Sequence, residues 1–142
     1  MKIEGFFGEF RFLSNFWPSE ITVAGQEFPT VEHAYQALKS DEPRVWPIIA
    51  SLPTPKAAKY AGREWIAVRP RWDNIRVDVM RMLLRKKFAI PALREGLLLT
   101  HPFHLEETNT WGDTFWGVSN GRGQNELGKL LMLIREEIRQ NR

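Results

Sequence analysis

Apolar residues recur at helical spacing in several separate stretches of this 142-residue chain, and prolines or glycines end each stretch before it becomes long. The periodicity is clearest in residues 73–88 and 125–138, and a shorter example follows Thr30. A repeat of about 3.6 residues is typical of helices that bury one face. The pattern therefore predicts a mainly helical chain.

The first 28 residues follow a different pattern. Phe10, Phe12 and residues 21–23 favour short strands, and residues 24–26 are typical of a hairpin turn. Residues 65–68 and 103–108 are expected to be extended. Helices are expected over about 30–40, capped by Thr30, over 45–51, from Pro55 to a left-handed Gly62, from an Asp73 cap to Phe88 and over 91–99. The last helix is expected from about Asn125, with Ile138 on its buried face. Together they predict an α+β protein: a compact, mainly helical single domain over residues 1–142 with a small N-terminal β-sheet.

The composition excludes several classes of protein. The chain has no cysteine, which excludes disulfides, thiolate catalysis and cysteine-ligated zinc and is compatible with a cytoplasmic location. No apolar run approaches the ~20 residues that cross a bilayer, so we expect no contact with a membrane. The N-terminus has no long apolar stretch and no small-residue cleavage site, so no signal peptide is expected. The net charge of +3 is compatible with a phosphate-bearing ligand or nucleic acid, and six Trp and nine Phe suit a cleft that stacks on a flat ring.

Three polar residues after Thr30 share one stripe of the predicted helix. Glu32, Gln36 and Lys39 are spaced at i, i+4 and i+7, beside the apolar stripe that includes Tyr35. A carboxylate and an amine at the edge of a core have the surroundings that a tuned acid/base pair or an imine-forming lysine needs. From the spacing alone, a solvated helix face that carries an ordinary ion network is the default explanation.

Two loops contain residues suited to ligand binding. Ser14 and Asn15 form turns readily, and the Asn15 side chain could bind a hydroxyl or a phosphate, although a plain turn has the same composition. The glycine-rich loop from Trp111 to Asn125 leads directly into a helix, whose N-terminus would attract anions. It has neither the Gly-Lys-Ser/Thr of a P-loop nor a surrounding βαβ unit, so a purely structural role is the alternative.

Two further clusters of polar residues favour simple explanations. His101 and His104 lie three residues apart, but the chain has three histidines in all and no HExxH pattern, so we expect no metal site. The basic residues of the helix after Asp73 are expected to be solvated, with a phosphate or DNA contact as the alternative. They are Arg76, Arg81, Arg85, Lys86 and Lys87.

Several segments taken together resemble the NADAR family, also called the YbiA-like family. They follow in order from about Gly8 to Arg135, over nearly the whole chain. The segments are Phe12-Leu13-Ser14-Asn15-Phe16, Glu32-His33-Ala34-Tyr35-Gln36-Ala37-Leu38-Lys39, Pro55 through Gly62-Arg63, Trp72, Val79-Met80, Lys87-Phe88, Trp116-Gly117, Gly121-x-Gly123-x-Asn125-x-Leu127-Gly128, Leu131-Met132 and Arg135.

The resemblance implies an N-glycosidase with a mainly helical α+β fold and no metal or organic cofactor. Members of the family are linked to the hydrolysis of ribosyl–nitrogen bonds. One branch acts on phosphoribosylamino-pyrimidine intermediates of riboflavin synthesis, and another removes ADP-ribose from guanine bases in DNA. The expected partner is therefore a nucleotide-type small molecule or an ADP-ribosylated nucleic acid, and the resemblance leaves the leaving base and the oligomeric state open.

Carried over by position, the resemblance makes Glu32 the general acid/base and Lys39 the residue that forms an imine with the opened ribose. Trp72 would pack on the base or the ribose. Asp113, after the first of two Trp-Gly pairs, is the third catalytic candidate, whereas Val118 follows the second pair. The residues expected to bind the substrate are Ser14, Asn15, Phe16, Gln36, Arg63, Trp72, Trp116, Gly117, Gly121, Gly123 and Asn125.

Two other functions compete with this interpretation. A non-catalytic module that binds ADP-ribose or NAD would use the same cleft, with Glu32 and Lys39 holding the ligand. Turnover separates that module from an enzyme. A plain DNA-binding protein is disfavoured because the chain has no helix-turn-helix or arginine-rich signature.

Overall fold

The structure, a computed structural model, describes all 142 residues and contains six α-helices, two 3-10 helices and six short strands. In chain order these are β1 (Lys2–Glu4), a 3-10 helix (Gly8–Leu13), β2 (Ile21–Val23), β3 (Gln26–Phe28), α1 (Val31–Ala37), a 3-10 helix (Pro43–Val45), α2 (Trp46–Ala50), α3 (Pro55–Glu64), α4 (Trp72–Lys87), α5 (Pro91–Leu99), β4 (His104–Glu106), β5 (Thr108–Asn109), β6 (Val118–Ser119) and α6 (Glu126–Gln140). The chain divides into two units: a central unit, residues 15–87, and a terminal unit, residues 1–14 with 88–142.

The central unit begins with a hairpin. Strands β2 and β3 pair antiparallel, with Ile21 opposite Phe28, and both of these side chains are buried. Ala24 and Gly25 join the strands with φ angles of 49° and 83°. Two successive positive φ angles are what a tight hairpin turn requires, so the predicted turn is confirmed.

Helix α1 is the centre of this unit, because all seven of its residues are buried and α2, α3 and α4 all pack against it. The Thr30 Oγ1 accepts the backbone N–H of His33 at 3.0 Å, which is the predicted N-cap. The His33 ring lies 2.8 Å from Thr30 Oγ1 and 3.0 Å from the Leu52 carbonyl oxygen. Burial lowers the pKa of His33, so this ring links α1 to the loop after α2 as a neutral group.

Helix α3 approaches α1 through small residues. Thr54 Oγ1 accepts the backbone N–H of Ala57 at 3.0 Å, and Pro55 occupies the first turn. The buried residues of α3 are Ala58, Ala61 and Gly62. With so little side chain between them, the two helix backbones lie close together.

The terminal unit is built around α6. Strands β1 and β4 pair in parallel, with Ile3 opposite Leu105, and α6 packs against β4. Helix α5 packs against both α6 and the first 3-10 helix. Strands β5 and β6 form a second parallel pair. The buried residues of α6 are Leu127, Gly128, Leu130, Leu131, Ile134 and Arg135, and Ile138, which was expected to be buried, is partly exposed.

The α+β class and its mainly helical character are confirmed, but three local predictions are wrong. Phe10 and Phe12 belong to a 3-10 helix and not to a strand, and the Phe12 ring lies against Gly96 of α5. Gly62 lies inside α3, which continues to Glu64. Asp73 is in the first turn of α4 and is not its cap, because the helix already begins at Trp72. None of the helices combines the length and the apolar character needed to cross a bilayer.

Candidate active site

The polar stripe of α1 is buried in the central unit. Glu32 has 8% of its surface exposed and Gln36 has 5%. The alternative of a solvated helix face is therefore wrong for these two residues, because three helices cover α1 from different sides. Charged side chains are rarely buried to this degree without a partner or a function.

The Glu32 carboxylate is fixed by its neighbours. Gln36 Nε2 donates a hydrogen bond of 2.5 Å to Glu32 Oε2. The backbone N–H of Glu32 donates to the Asn15 carbonyl oxygen at 3.1 Å. Asn15 also reaches α4, where its Nδ2 lies 3.6 Å from Met80 Sδ, and its Oδ1 is buried without a hydrogen-bond partner. The predicted residues Asn15, Glu32 and Gln36 therefore form one connected group.

Lys39 is partly buried and lies in the turn just after α1, which ends at Ala37, so the prediction that it continues the helical stripe of Glu32 and Gln36 is wrong. Burial lowers the pKa of its amine, and the positive charges of Lys59 and Arg76 lower it further, whereas Glu32 raises it. These influences come from three helices that pack together, α1, α3 and α4. The amine is therefore easier to deprotonate than that of an exposed lysine.

Aromatic rings lie beside this amine. Lys39 Nζ is 5.6 Å from the centre of the Tyr35 ring, which in turn lies 5.2 Å from the Trp72 ring at an interplanar angle of 55°. Trp72 is only 7% exposed. The central unit therefore brings Glu32, Gln36, Lys39 and Trp72 together. Tyr35 also belongs to this group, although the sequence does not mark it as a site residue.

Other predicted site residues lie in different surroundings. Arg63 is exposed near the end of α3, where its guanidinium pairs with Glu64 at 3.0 Å and lies 5.6 Å from the centre of the Tyr60 ring. Phe16 is 38% exposed. Ser14, in the terminal unit, caps the first 3-10 helix by donating its backbone N–H to Arg11.

In the terminal unit, Asp113 organises the loop that follows it. Its Oδ1 accepts the backbone N–H groups of Phe115 at 3.1 Å and Trp116 at 2.9 Å. The backbone of Asp113 is also bound through both its N–H and its carbonyl oxygen to the Asn109 side chain. These contacts give Asp113 a structural role, and its catalytic role stays a prediction.

The glycine-rich loop is folded against the start of α6. The backbone N–H groups of Glu126 and Leu127 donate to the carbonyl oxygens of Phe115 and Trp116, so two of the first N–H groups of α6 are already satisfied. The Asn125 side chain accepts from Glu107 N–H and donates to Leu105 O, both at 2.9 Å. Residues 121–123 are exposed, and the backbone N–H of Arg122 donates to the Ser119 carbonyl oxygen at 3.1 Å.

Packing explains two glycines of this region. A side chain at Gly117 would meet the Glu107 carbonyl oxygen, and one at Gly123 would meet the backbone of Gly117. Gly123 also has a φ angle of 150°. Binding of a substrate at these residues stays a prediction, but the structure requires glycine there in any case.

Two clusters of polar residues were singled out in the sequence. No group of three His, Asp or Glu residues lies close enough together to hold a metal ion. Among the basic residues of α4, Lys87 was expected to be solvated, and that expectation is wrong. Its side chain is fully buried, and burial lowers the pKa of its amine to about 7.

A buried carboxylate and a partly buried amine beside aromatic rings make an enzyme-like site, and the comparisons with known proteins agree. Residues 6–139 match the NADAR domain. The chain is 42% identical over 132 residues to an N-glycosidase of Nostoc punctiforme. That match covers 89% of this chain and 84% of that protein. It is 39% identical over 137 residues to the N-glycosidase YbiA of Escherichia coli. That match covers 93% of this chain and 82% of YbiA.

A third relative and one solved structure complete the comparison. A riboflavin biosynthesis protein of Vibrio vulnificus is 40% identical over 133 residues, so the chain spans 36% of that longer protein. The NMR structure of Escherichia coli YbiA matches 99% of this chain and 88% of its own, with a TM-score of 0.85 and 35% identity. The chain therefore belongs to the NADAR family, and the resemblance seen in the sequence is confirmed.

Proposed function

We propose that this chain is an N-glycosidase that hydrolyses the bond between C1′ of a ribose and a nitrogen of the attached base. The general activity follows from the family and from relatives that are named N-glycosidases. The observation that supports particular residues is the juxtaposition of Glu32, a buried carboxylate, with Lys39, an amine whose charge interacts with it.

Glu32 is the general acid/base in this proposal. Cleavage of a ribosyl–nitrogen bond develops positive charge at C1′, and the leaving nitrogen needs a proton. The hydrogen bond from Gln36 holds one carboxylate oxygen in place. The orientation of the other oxygen is fixed with it, so the carboxyl group is preorganised for proton transfer.

Lys39 is the nucleophile. When the ribose ring opens, the C1′–O4′ bond breaks, O4′ gains a proton and C1′ becomes an iminium carbon bound to the base. The neutral Lys39 amine adds to C1′, and Glu32 takes a proton from the new ammonium and passes it to the departing base nitrogen, so that a protonated imine joins Nζ to C1′. Water then hydrolyses this imine, which releases the sugar and restores the amine.

The charges around Lys39 support a phosphorylated substrate. Lys59 and Arg76 both influence Lys39, and several cations close together suit a phosphoribosyl group or the pyrophosphate of ADP-ribose. We therefore propose ADP-ribosyl-guanine in DNA or a phosphoribosylamino-pyrimidine as the substrate, in a cytoplasmic setting. The catalytic role of Asp113 and substrate binding by the loop at 121–125 stay predictions about the terminal unit.

A parallel substrate test decides between enzyme and binding module. The protein is incubated with ADP-ribosylated guanine DNA, a phosphoribosylamino-pyrimidine, ADP-ribose and NAD, and released base and sugar are measured by mass spectrometry. We expect release from one of the first two compounds. Tight binding of ADP-ribose without release from any compound would replace the enzyme by a non-catalytic module.

A further inference from the structure

Residues 55–71 of the central unit carry a local excess of positive charge, as do residues 76–87 of α4. Residues 55–71 contain five Lys or Arg and one Glu, a formal charge of +4, whereas the whole chain has +3. The rest of the chain is therefore slightly acidic. A local excess of positive charge is typical of a surface that binds a polyanion.

Helix α3 displays part of this charge on one face. Lys56, Tyr60 and Arg63 are spaced at i, i+4 and i+7 and all three are exposed, whereas the small residues of the opposite face pack on α1. The ion pair of Arg63 with Glu64 is exposed on both sides. An exposed pair of this kind contributes little, so a phosphate can replace Glu64 at small cost.

Two aromatic rings lie among these cations. Tyr60 is 50% exposed and Trp65 is 61% exposed, and their ring centres are 6.2 Å apart with the planes at 90°. Behind them, Arg69 anchors the segment by donating to the Ser40 carbonyl oxygen at 2.8 Å. Large aromatic side chains left in water next to cations are typical of platforms on which nucleobases stack.

We propose that this face binds a single strand of nucleic acid, with its phosphates on the cations and its bases on Tyr60 and Trp65. We call it the α3 surface, defined as Lys56, Lys59, Tyr60, Arg63, Trp65 and Arg71. A single strand fits better than a duplex, because paired and stacked bases have no faces available for the two rings.

The α3 surface is electrostatically connected to the candidate active site. Lys59 belongs to α3, yet its charge lowers the pKa of Lys39 in the turn after α1. A strand bound here would bring its phosphates and bases beside that site. The inference rests on the proposed function in one respect: it makes a modified base within a strand, and not a separate nucleotide, the preferred substrate.

The binding test needs no turnover. Fluorescence anisotropy measures the affinity of unmodified single-stranded and duplex DNA of equal length at several salt concentrations, with single-stranded RNA and anionic vesicles as further probes. We expect tighter binding of single strands. Tyr60→Ala and Trp65→Ala should each weaken it roughly ten-fold, and Lys56→Gln should lower the slope of log affinity against log salt by about 0.7.

Phe7→Ala is the matched control, since Phe7 has the same 61% exposure as Trp65 but lies in the terminal unit. Equal loss with Phe7→Ala, preference for the duplex, or binding of vesicles in place of strands would overturn the proposal. If the proposed activity holds, Tyr60→Ala should raise KM for a modified base in an oligonucleotide but not in a mononucleotide. If that activity fails, the anisotropy result still decides the question of the surface.

Discussion

Gln36 donates a hydrogen bond of 2.5 Å to the Glu32 carboxylate one turn earlier in α1, in a place where both side chains are almost fully buried. The Gln36 side chain also lies directly against Gly62 of α3. The orientation of the candidate acid/base therefore depends on a helix that does not contain it. Gln36 was predicted to bind substrate, and this geometry makes it a positioning residue for Glu32.

Replacing Glu32 by Gln should leave the fold intact and remove most turnover. The amide keeps the shape and still has an oxygen that accepts from Gln36, but it cannot transfer a proton. A single positioned proton-transfer group is typically worth ~10²–10⁴ in rate. Steady-state kinetics with circular dichroism as a folding control measures this, and near-wild-type turnover in a folded variant would remove Glu32 from the mechanism.

Replacing Gly62 by Ala should lower both stability and turnover. In an ordinary helix interior this change stabilises by roughly 0.5–1 kcal/mol. Here the added methyl group would overlap the Gln36 side chain, so we expect a loss of about 1–3 kcal/mol and a displaced Glu32 carboxylate. Denaturant unfolding and kcat measure the two effects.

The double variant Gly62→Ala with Gln36→Ala separates packing from positioning. Without the Gln36 amide most of the overlap disappears, so stability should recover in part, whereas turnover should stay low because Glu32 has lost its partner. Full recovery of turnover in the double variant would mean that Gln36 only fills space.

The sequence predicted those features whose causes are local. The cap at Thr30, the proline start of α3 and the turn at residues 24–25 each depend on neighbouring residues, and all three are confirmed. The spacing of Glu32 and Gln36 likewise placed them on one stripe. Spacing alone could not say whether that stripe faces water, because its burial comes from three other helices.

The predictions that failed have causes distant in the chain. Gly62 has the composition of a helix end, and only its contact with Gln36 explains a glycine inside α3. Phe12 has strand propensity, but its ring packs on Gly96 of a helix far along the chain. Lys87 is adjacent to the exposed Lys86, and nothing in the local pattern distinguishes the two. Tertiary contacts override local preference in each case.

The burial of Lys87 predicts a stability that depends on pH. The pKa of this amine is lowered by burial to about 7 in the folded protein, against about 10.4 in an unfolded chain. Between these values the unfolded chain binds more protons, so stability should rise with pH, by up to about 1.4 kcal/mol per pH unit. Below pH 7 this contribution is constant, because the amine is then protonated in both states.

Urea unfolding of three proteins between pH 7 and pH 10 measures this dependence. Lys87→Met should be more stable than the wild type at pH 7. Its free energy of unfolding should also lack the increase with pH that comes from Lys87. Lys86→Met, which changes the exposed neighbour, should retain it. The same slope in the wild type and in Lys87→Met would assign the pH dependence to other groups.

Replacing Trp72 by Ala should weaken binding of a non-hydrolysable substrate analogue. An aromatic ring stacked on a base is worth roughly 1–3 kcal/mol, and Trp72 also supports Tyr35 beside the Lys39 amine. Calorimetric titration measures the affinity. Trp72→Phe, which retains an aromatic ring, should lose less affinity than Trp72→Ala. Unchanged affinity in a folded Trp72→Ala protein would assign this residue to the core alone.

Lys39 should control the pH profile of the reaction. Only its neutral amine can add to C1′, so kcat should increase with pH as Lys39 loses its proton. The nearby charge of Lys59 lowers the pKa of this amine, so Lys59→Gln should raise that pKa and move the rising limb to higher pH. Lys56 lies on the same helix but is not among the charges that shift the pKa of Lys39. Lys56→Gln should therefore leave the rising limb of the kcat profile at the same pH.

Borohydride trapping tests the covalent step at Lys39 directly. Borohydride reduces an imine to a stable amine and leaves an ion pair unchanged, so reduction during turnover should add the mass of the sugar to the peptide that contains Lys39. Lys39→Arg should abolish the adduct, because a guanidinium remains protonated and does not add to C1′. Peptide mass spectrometry detects the product. Active turnover without any adduct would favour direct attack by water, with Lys39 stabilising negative charge on the substrate as a cation.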